Sequence, residues 1–298
     1  MHPDDSYRSG SDGWHLTGDV GEFLGHAGEF LRSRPALHTT PLSVTEKLRV
    51  LGTAAYGGRT PVLGWLERAG EVRAAFHRFL PAGLSVTSLT PGQAEELAAH
   101  LRALGHTLPS LTADEPTALA FAEAWRRHTG ALATVRVRLR LHRLGTLTPP
   151  EPFPAGRGRL AGAAEHHRLM RWCREFAADV AEDVVIDAAS WAGTRFAEKQ
   201  YTFWETPDGT PVSMAGVNPI VGGQARIDPV YTPAHLRGRG YAAAVTTEVG
   251  RAALAAGATE VVLYTNAANP TSNALYRRLG YRPLTDVLVH DFAYPEET

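Results

Sequence analysis

Hydrophobic residues recur along the chain with two different periods, and these periods predict which segments are helices and which are strands. Apolar positions three or four apart over residues 20–31 predict an amphipathic helix, and Pro41 suits the first turn of a second one. The segments 62–66 and 72–80 flank the short polar stretch 68–71, which predicts a β-hairpin. A third strand and two helices complete the first half, at 84–89, 90–105 and 115–128.

Two segments in the middle of the chain predict its division into domains. Residues 134–142 alternate strictly between apolar and polar side chains, which predicts a half-buried strand with one basic face. The segment 148–157 is rich in proline, which is typical of a semi-rigid linker. We therefore predict a flexible polar tail at 1–17, a domain at 18–147, this linker, and a second domain at 158–298.

The second half repeats the mixture of strands and helices. Pro207, Asp208 and Gly209 separate two strand-like runs and predict another hairpin, from 201–205 to 211–217. Further strands are predicted at 159–163, 224–231, 260–265 and 287–292, and helices at 164–181, 188–199, 241–256 and 271–279. Both halves therefore belong to the α+β class, with mostly antiparallel sheets and some parallel pairing.

The charge balance argues against one broad class of function. The chain has 298 residues with 30 Lys+Arg and 31 Asp+Glu, a formal net charge of −1. Proteins that mainly neutralise nucleic-acid phosphates carry a basic excess instead. The arginines in the strand at 136–140 leave an RNA-binding face open as an alternative, but a solvated strand face is the commoner meaning of that pattern. We therefore expect no nucleic-acid partner.

Cysteine content and hydropathy predict the compartment. Cys173 is the single cysteine of the sequence, so neither an intrachain disulfide nor a multi-cysteine zinc site can form, which fits a reducing cytoplasm. The adjacent His166 and His167 face different directions on a helix and predict no metal site. Residues 1–5 lack the features of a signal peptide, and no apolar run is long enough to span a membrane. We expect a cytoplasmic protein without metal or membrane partners.

Residues 228–242 carry the strongest candidate chemistry. A predicted strand ends there, a glycine-bearing turn follows and a helix begins, so free backbone N–H groups and the positive end of the helix dipole point at one spot. Glycines let the backbone approach a phosphate closely, and Arg237 and Arg239 add positive charge. The segment lacks the spacing of a Walker loop or a dinucleotide fingerprint. It predicts a cradle for a pyrophosphate group.

A second segment, residues 269–281, follows the next predicted strand. Its pattern of Asn, six residues, Tyr, three residues, Gly and an aromatic residue resembles the later motif of the GNAT family of acyl-CoA-dependent N-acyltransferases. The family's Gln/Arg-x-x-Gly-x-Gly/Ala acetyl-CoA motif is similar to the run Arg237, Gly238, Arg239, Gly240, Tyr241 and Ala242. The resemblance covers residues 159–292.

The first half resembles a diverged copy of the same fold. Residues 90–93 stand where the phosphate cradle would be, but they lack its arginine pattern. The whole chain is therefore similar to the tandem GNAT proteins of bacteria, with two GNAT-like α+β units of which the first is degenerate.

The resemblance implies that an acetyl or another short acyl group is transferred by direct attack of the amine in a ternary complex, with acetyl-CoA as the acyl donor. Its diphosphate would lie on residues 237–242, and its pantetheine arm would lie along Val230, Tyr231 and Thr232, where a bulge splays the strand from its neighbour. A backbone N–H near Val230 would stabilise the thioester oxyanion. Asn269 matches a position that contacts the cofactor arm, and it could equally cap the next helix. Tyr276 matches the tyrosine that protonates the departing thiolate, the alternative being a core aromatic residue.

The acceptor is expected to be an amine, on either a small molecule or a protein. Candidate bases for its deprotonation are Asp228, Glu205, Asp286 and His290, and each has a structural role as its commoner alternative. A non-catalytic acyl-CoA sensor is the rival function, and the tandem layout also resembles mycothiol synthases, which acetylate a sugar–cysteine amine. A monomer with an internal pseudo-dimer and a homodimer both remain open.

Overall fold

Strands and helices alternate along both halves of the chain, and the computed structural model describes them over residues 12–295. The strands are β1 (Gly13–Thr17), β2 (Pro61–Arg68), β3 (Glu71–Phe79), β4 (Leu84–Val86), β5 (Ser110–Asp114), β6 (Leu132–Leu144), β7 (Arg157–Leu160), β8 (Gln200–Glu205), β9 (Pro211–Val217), β10 (Gln224–Tyr231), β11 (Glu260–Asn266) and β12 (Tyr281–Ala293). The helices are α1 (Val20–Ser33), α2 (Thr39–Leu51), α3 (Pro91–Ala103), α4 (Glu115–Thr129), α5 (His166–Asp179), α6 (Tyr241–Ala255) and α7 (Pro270–Arg278).

Contacts between these elements divide the described residues into two units. The first unit contains the residues up to Ser33, Arg59–Arg136 and the residues from Leu288 onward, whereas the second contains Arg34–Gly58 and Val137–Val287. Both β6 and β12 therefore have residues in each unit. The linker at 148–157 and the domains on either side of it stay predictions, and the contact-based units do not follow those boundaries.

The sheet of the first unit has the strand order β1-β2-β3-β4-β5. Its pairs are antiparallel except for the parallel pair β4 and β5. Phe121 and Trp125 of α4 are fully buried against it. The last described residues complete this core, since Trp125 Nε1 donates to Tyr294 Oη at 3.0 Å. The short strand β5 escaped the sequence analysis because only Leu111 and Ala113 carry its apolar pattern.

The predicted N-terminal tail at 1–17 is partly a strand. Residues 1–11 lie outside the described residues, but Gly13–Thr17 pair antiparallel with β2. Trp14 is buried in the core, and Leu16 packs against it from the next alternate position. The prediction is wrong for these residues because two apolar side chains on one face suffice to attach an edge strand, whatever the average polarity of the segment.

The sheet of the second unit has the order β6-β11-β10-β9-β8-β7, with β10 and β11 as its parallel pair. Successive strand residues face opposite sides, so Phe203 packs against Trp172 of α5 while Trp204 joins the core under α6. Each unit therefore places its parallel pair next to an antiparallel hairpin, as the α+β prediction expects. Among the described residues, no helix combines the length and the hydropathy that crossing a bilayer requires.

Helix α2 packs within the second unit although the sequence analysis placed it in the domain at 18–147. Thr39 Oγ1 donates to Gln224 Oε1 at 2.8 Å in a buried hydrogen bond. Lys47 Nζ donates to the carbonyl of Thr194 at 3.1 Å. These partners lie 185 and 147 residues away along the chain, and hydrophobic periodicity carries no information about such pairings.

The helix predicted over 188–199 is wrong. The described structure has a short 3₁₀ turn there, Trp191–Gly193. Asp187 Oδ1 accepts from the N–H groups of Ala189 (3.0 Å) and Ser190 (2.8 Å). Side-chain hydrogen bonds of this kind satisfy the backbone locally and compete with helix formation.

His77 lies on β3 inside the first unit and generates a prediction about stability. Burial lowers the pKa of His77 to about 4, whereas an unfolded imidazole titrates near ~6.5. The unfolded state therefore binds a proton that the folded state rejects, so stability that is present above pH 6.5 is lost as the pH falls toward 4. We expect the wild type to lose about 3 kcal/mol relative to His77→Leu between about pH 7.5 and 4, measured by urea denaturation.

The exposed His167 of α5 supplies the control. His167→Leu also removes one imidazole, and its stability should follow that of the wild type over this pH range. Parallel curves for the wild type and His77→Leu would contradict the prediction.

Candidate active site

Strand β10 is interrupted at its centre. Its register against β9 shifts between Ile227 and Val230, which marks a β-bulge. Its parallel ladder with β11 covers residues 224–226, while β11 continues to pair with β6 as far as Asn266. The two parallel strands therefore diverge after Arg226, and the bulge expected near Val230 is present.

The turn before α6 leaves the first N–H groups of that helix open. Gly238 and Gly240 have φ angles of 76° and 81°, a region that a residue with a Cβ enters only with strain. Gly240 is the N-cap residue, and no side chain caps the helix. The N–H groups of the first turn therefore lack intrahelical partners, and such groups together with the helix dipole favour an anion.

The two arginines of this turn have different surroundings. Arg237 forms an ion pair with Asp179 at the end of α5, and its Nε donates to the carbonyl of Thr232 at 2.9 Å. Arg239 is exposed and donates to the carbonyl of His235 at 3.4 Å. Among the described residues no ion pair holds Arg239. Arg237 therefore stabilises the turn, whereas Arg239 is available to an anion.

One buried amide organises the turn from β11 into α7. Asn273 Nδ2 donates to three backbone carbonyls, those of Asn266 (3.1 Å), Ala267 (3.2 Å) and Asn269 (2.7 Å). Asn273 Oδ1 accepts from Thr265 Oγ1 at 2.8 Å and from His142 Nε2 at 3.2 Å. Sequence reasoning missed Asn273, and its position inside the second motif, four residues after Asn269, was the available signal.

Helix α7 places the two residues that the second motif singles out. Asn269 caps the helix, since its Oδ1 accepts from the N–H of Ser272 at 3.0 Å. Tyr276 is 8% exposed and packs edge-on against Tyr281, with ring centroids 5.9 Å apart. Burial raises the pKa of Tyr276 above its ordinary value, so the phenol keeps its proton at neutral pH.

These elements surround a cleft of about 650 Å³. It is lined by every residue that the sequence analysis assigned to cosubstrate binding or catalysis: Val230, Tyr231, Thr232, Arg237, Gly238, Arg239, Gly240, Tyr241, Ala242, Asn269 and Tyr276. The structure thus brings the two motifs together, and the roles of these residues stay predictions. Sequence reasoning missed the lining residues Phe176, Asp179 and Val180, because a helical pattern does not show which end of the helix borders a cleft.

In the first unit, the helix that corresponds to α6 is α3, and side chains cap its N-terminus. Helix α3 follows β4, and its N-cap Thr90 accepts from the N–H of Gln93 at 3.3 Å. Gln93 Oε1 in turn accepts from the N–H of Thr90 at 2.9 Å, and Pro91 has no N–H. This capping box occupies donors that α6 leaves open. It agrees with the prediction that the first unit is a degenerate copy.

Asp228, the candidate base nearest the bulge, is held by cations. It forms ion pairs with Lys199 and with Arg195, the latter at 2.5 Å. Burial alone raises the pKa of Asp228, but the charges of Lys199, Arg195 and Arg226 together lower that pKa well below its usual range. A carboxylate of this kind is a weak base.

The other two candidate carboxylates are also held by cations. Glu205 pairs with Arg159 at 2.6 Å, and Asp286 pairs with Arg140 at 2.7 Å. His290 belongs to the first unit. Over residues 12–295 no group of three His, Cys, Asp or Glu side chains could hold a metal ion.

Comparison with known proteins finds a family match that lies within the second unit. Residues 164–281 match the family described as the acetyltransferase (GNAT) family. No curated protein matches the chain.

Solved structures match over almost the whole chain. A GCN5-related N-acetyltransferase from Sphaerobacter thermophilus is 16% identical with a TM-score of 0.62, over 95% of this chain and 96% of that one. A tandem GNAT protein from the clavulanic acid biosynthesis pathway is 14% identical with a TM-score of 0.57, over 95% and 100%. An acetyltransferase of the GNAT family from Colwellia psychrerythraea is 11% identical with a TM-score of 0.57, over 94% and 99%. At such identities the matches show the fold, and they confirm the predicted tandem α+β arrangement.

The side chains of Asn273 and Asn269 form different numbers of hydrogen bonds. Substituting them should therefore lower the unfolding free energy by different amounts. Asn273→Ala removes five hydrogen bonds of one buried side chain, and we expect a loss of about 3 kcal/mol in unfolding free energy. Asn269→Ala removes one cap at an exposed helix start, and we expect a loss of about 1 kcal/mol. Urea denaturation of both variants gives the order. A larger loss for Asn269→Ala would contradict the organising role of Asn273.

Proposed function

Because residues 164–281 match the acetyltransferase (GNAT) family and solved GNAT structures share the fold, we propose that the second unit transfers an acetyl group from acetyl-CoA to an amine. The observation that carries this proposal is the cleft in which the uncapped start of α6, the open edge of β10 and Tyr276 meet. An anion site, a strand edge and a protonated phenol are the groups that binding and cleaving an acyl thioester require.

The start of α6 would hold the diphosphate of acetyl-CoA. Its open N–H groups and dipole attract phosphate oxygens, and Gly238 and Gly240 leave the backbone accessible there. Arg239 would add a charge-assisted hydrogen bond. Arg237 would act indirectly, since Asp179 and the carbonyl of Thr232 already engage its guanidinium.

The open edge of β10 would hold the pantetheine arm. Val230 and Tyr231 pair with Ala215 and Met214 of β9 on one side. Beyond the bulge, the other edge no longer pairs with β11, so its amide groups are free to bind the amide groups of the arm. Such strand-like binding would orient the thioester along β10, and a backbone N–H near Val230 would stabilise the oxyanion.

The reaction would be a direct attack of the neutral amine on the thioester carbon. The C–N bond forms, the C–S bond breaks, and Tyr276 donates its phenolic proton to the departing thiolate. The proton that the amine loses leaves through water, since the candidate carboxylates are held by cations, and a proton from water restores the Tyr276 phenol. Burial raises the pKa of Cys173 to about 11, so this thiol is no nucleophile for a covalent intermediate.

Removal of the Tyr276 hydroxyl tests the proposal. We expect Tyr276→Phe to lower kcat about 100-fold or more in a thiol-release assay with acetyl-CoA and an amine panel, because general-acid catalysis is lost. The thermal shift given by acetyl-CoA alone should stay unchanged, because the phenol contributes to chemistry rather than to diphosphate binding.

Tyr281→Phe is the matched control. The Tyr281 hydroxyl is buried without a hydrogen-bond partner in the described structure and the residue does not line the cleft, so this variant should keep wild-type kcat. Equal thiol release by Tyr276→Phe and the wild type would overturn the role of Tyr276. A wild type that acetyl-CoA stabilises but that releases no thiol with any amine would favour the sensor function instead.

A further inference from the structure

The second unit contains another pocket, of about 400 Å³, which we call the α2 pocket. Helix α2 forms one side of it, and Tyr56, the segment 193–199, the turn at 218–221 and the start of β10 contribute further lining residues. Its apolar lining includes Val44, Leu51 and Ala197. Its volume lies in the range of small-molecule sites, which is about 300–1,000 Å³.

The charges around the α2 pocket favour an anion. Four cations line it, Lys47, Arg195, Lys199 and Arg226, against the carboxylates of Glu46 and Glu198. Glu46 is engaged by Arg49 outside the pocket, at 2.7 Å. Asp228 engages both Arg195 and Lys199, and Glu182 also pairs with Arg195 at 2.6 Å, so two carboxylates largely neutralise these two cations.

Arg226 is the cation with unused hydrogen-bonding capacity. Its Nη1 donates to Thr40 Oγ1 of α2 at 3.2 Å, and the side chain is half-buried. Among the described residues no carboxylate lies within ion-pair distance of Arg226. A guanidinium in a partly apolar pocket interacts with an anion more strongly than one in water, and its planar fork fits a carboxylate.

The α2 pocket and the cleft border the same short stretch of β10. Arg226 lines the pocket and Val230 lines the cleft. Their Cα atoms lie four residues apart on one strand, which spans at most about 13 Å. Asp228 lies between them, and Lys199 of the pocket lining donates to its backbone carbonyl at 2.8 Å. This separation is comparable to the length of a molecule with several methylene groups.

We propose that the α2 pocket holds the acyl acceptor, and that this acceptor is a small amine with an elongated apolar body and a carboxylate remote from the amine. Arg226 binds the carboxylate, the apolar lining packs along the body, and the amine lies at the bulge beside the thioester. This inference rests on the proposed function, whose acceptor it specifies. It also explains why α2, a segment of the first half of the sequence, packs on the second unit.

Three matched amines test the acceptor. The probes are 6-aminohexanoate, hexylamine and 1,6-diaminohexane, which share a six-carbon body and differ in the far group. For the wild type we expect kcat/KM to be highest for 6-aminohexanoate, by about 30-fold over hexylamine, the usual effect of one partly buried charge pair. The diamine should be the poorest acceptor, because its distal cation approaches Arg226.

Variants of Arg226 test whether the charge at this position determines the preference among the three amines. Arg226→Gln should abolish the preference for 6-aminohexanoate over hexylamine, and Arg226→Glu should shift the preference to the diamine. Arg226→Lys keeps the charge and should keep part of the preference, which separates loss of charge from loss of fold. Arg251→Gln, which removes an arginine that lines neither pocket, should keep the wild-type profile. An unchanged preference in Arg226→Gln would overturn the proposal.

A binding measurement separates failure of this inference from failure of the proposed function. Calorimetric titration with 6-acetamidohexanoate, the expected product, needs no acetyl-CoA. Binding to the wild type that weakens about 30-fold in Arg226→Gln supports the pocket. Equal or undetectable binding in both proteins overturns the α2 pocket even where thiol release with other amines proceeds. Binding that depends on Arg226 without thiol release from any amine supports the pocket's anion site and overturns the acetyl-transfer function.

Discussion

The arrangement of the second unit depends on the interruption of β10. Parallel strands normally satisfy each other's backbone groups along their whole length, but the ladder between β10 and β11 covers residues 224–226 and ends at the bulge. The far side of β10 stays attached, since Ser213 Oγ of β9 donates to the carbonyl of Tyr231 at 3.0 Å. The strand can therefore present an open edge to the cleft without detaching from the sheet.

Charge holds the bulge in place. The carbonyl and carboxylate of Asp228 both accept from Lys199, and Arg195 adds a second cation. Loss of one partner would leave an uncompensated buried charge, which is far more costly than the net strength of such a pair. The same cations line the α2 pocket. A single ion cluster thus shapes the strand between the proposed acyl-donor and acyl-acceptor sites.

Sequence reasoning succeeds where the chemistry is local. The glycine turn at 237–242 and the cap at Asn269 are properties of a few adjacent residues, and the sequence shows both. It fails where the partner is distant: Thr39 binds Gln224, and Asn273 binds His142 across 131 residues. It also fails at 188–199, where apolar spacing suggested a helix but Asp187 and its neighbours satisfy the backbone in another way.

The two units show how few residues separate a helix start that is capped from one that is left open. Both place a helix after the first strand of a parallel pair, α3 after β4 and α6 after β10. In α3 a capping box occupies the helix start and stabilises it by about 1 kcal/mol. In α6 a glycine stands at the N-cap, so that stabilisation is absent and the N–H groups stay open. Local stability and anion binding compete for the same donors, and the choice of residues at one helix start decides between them.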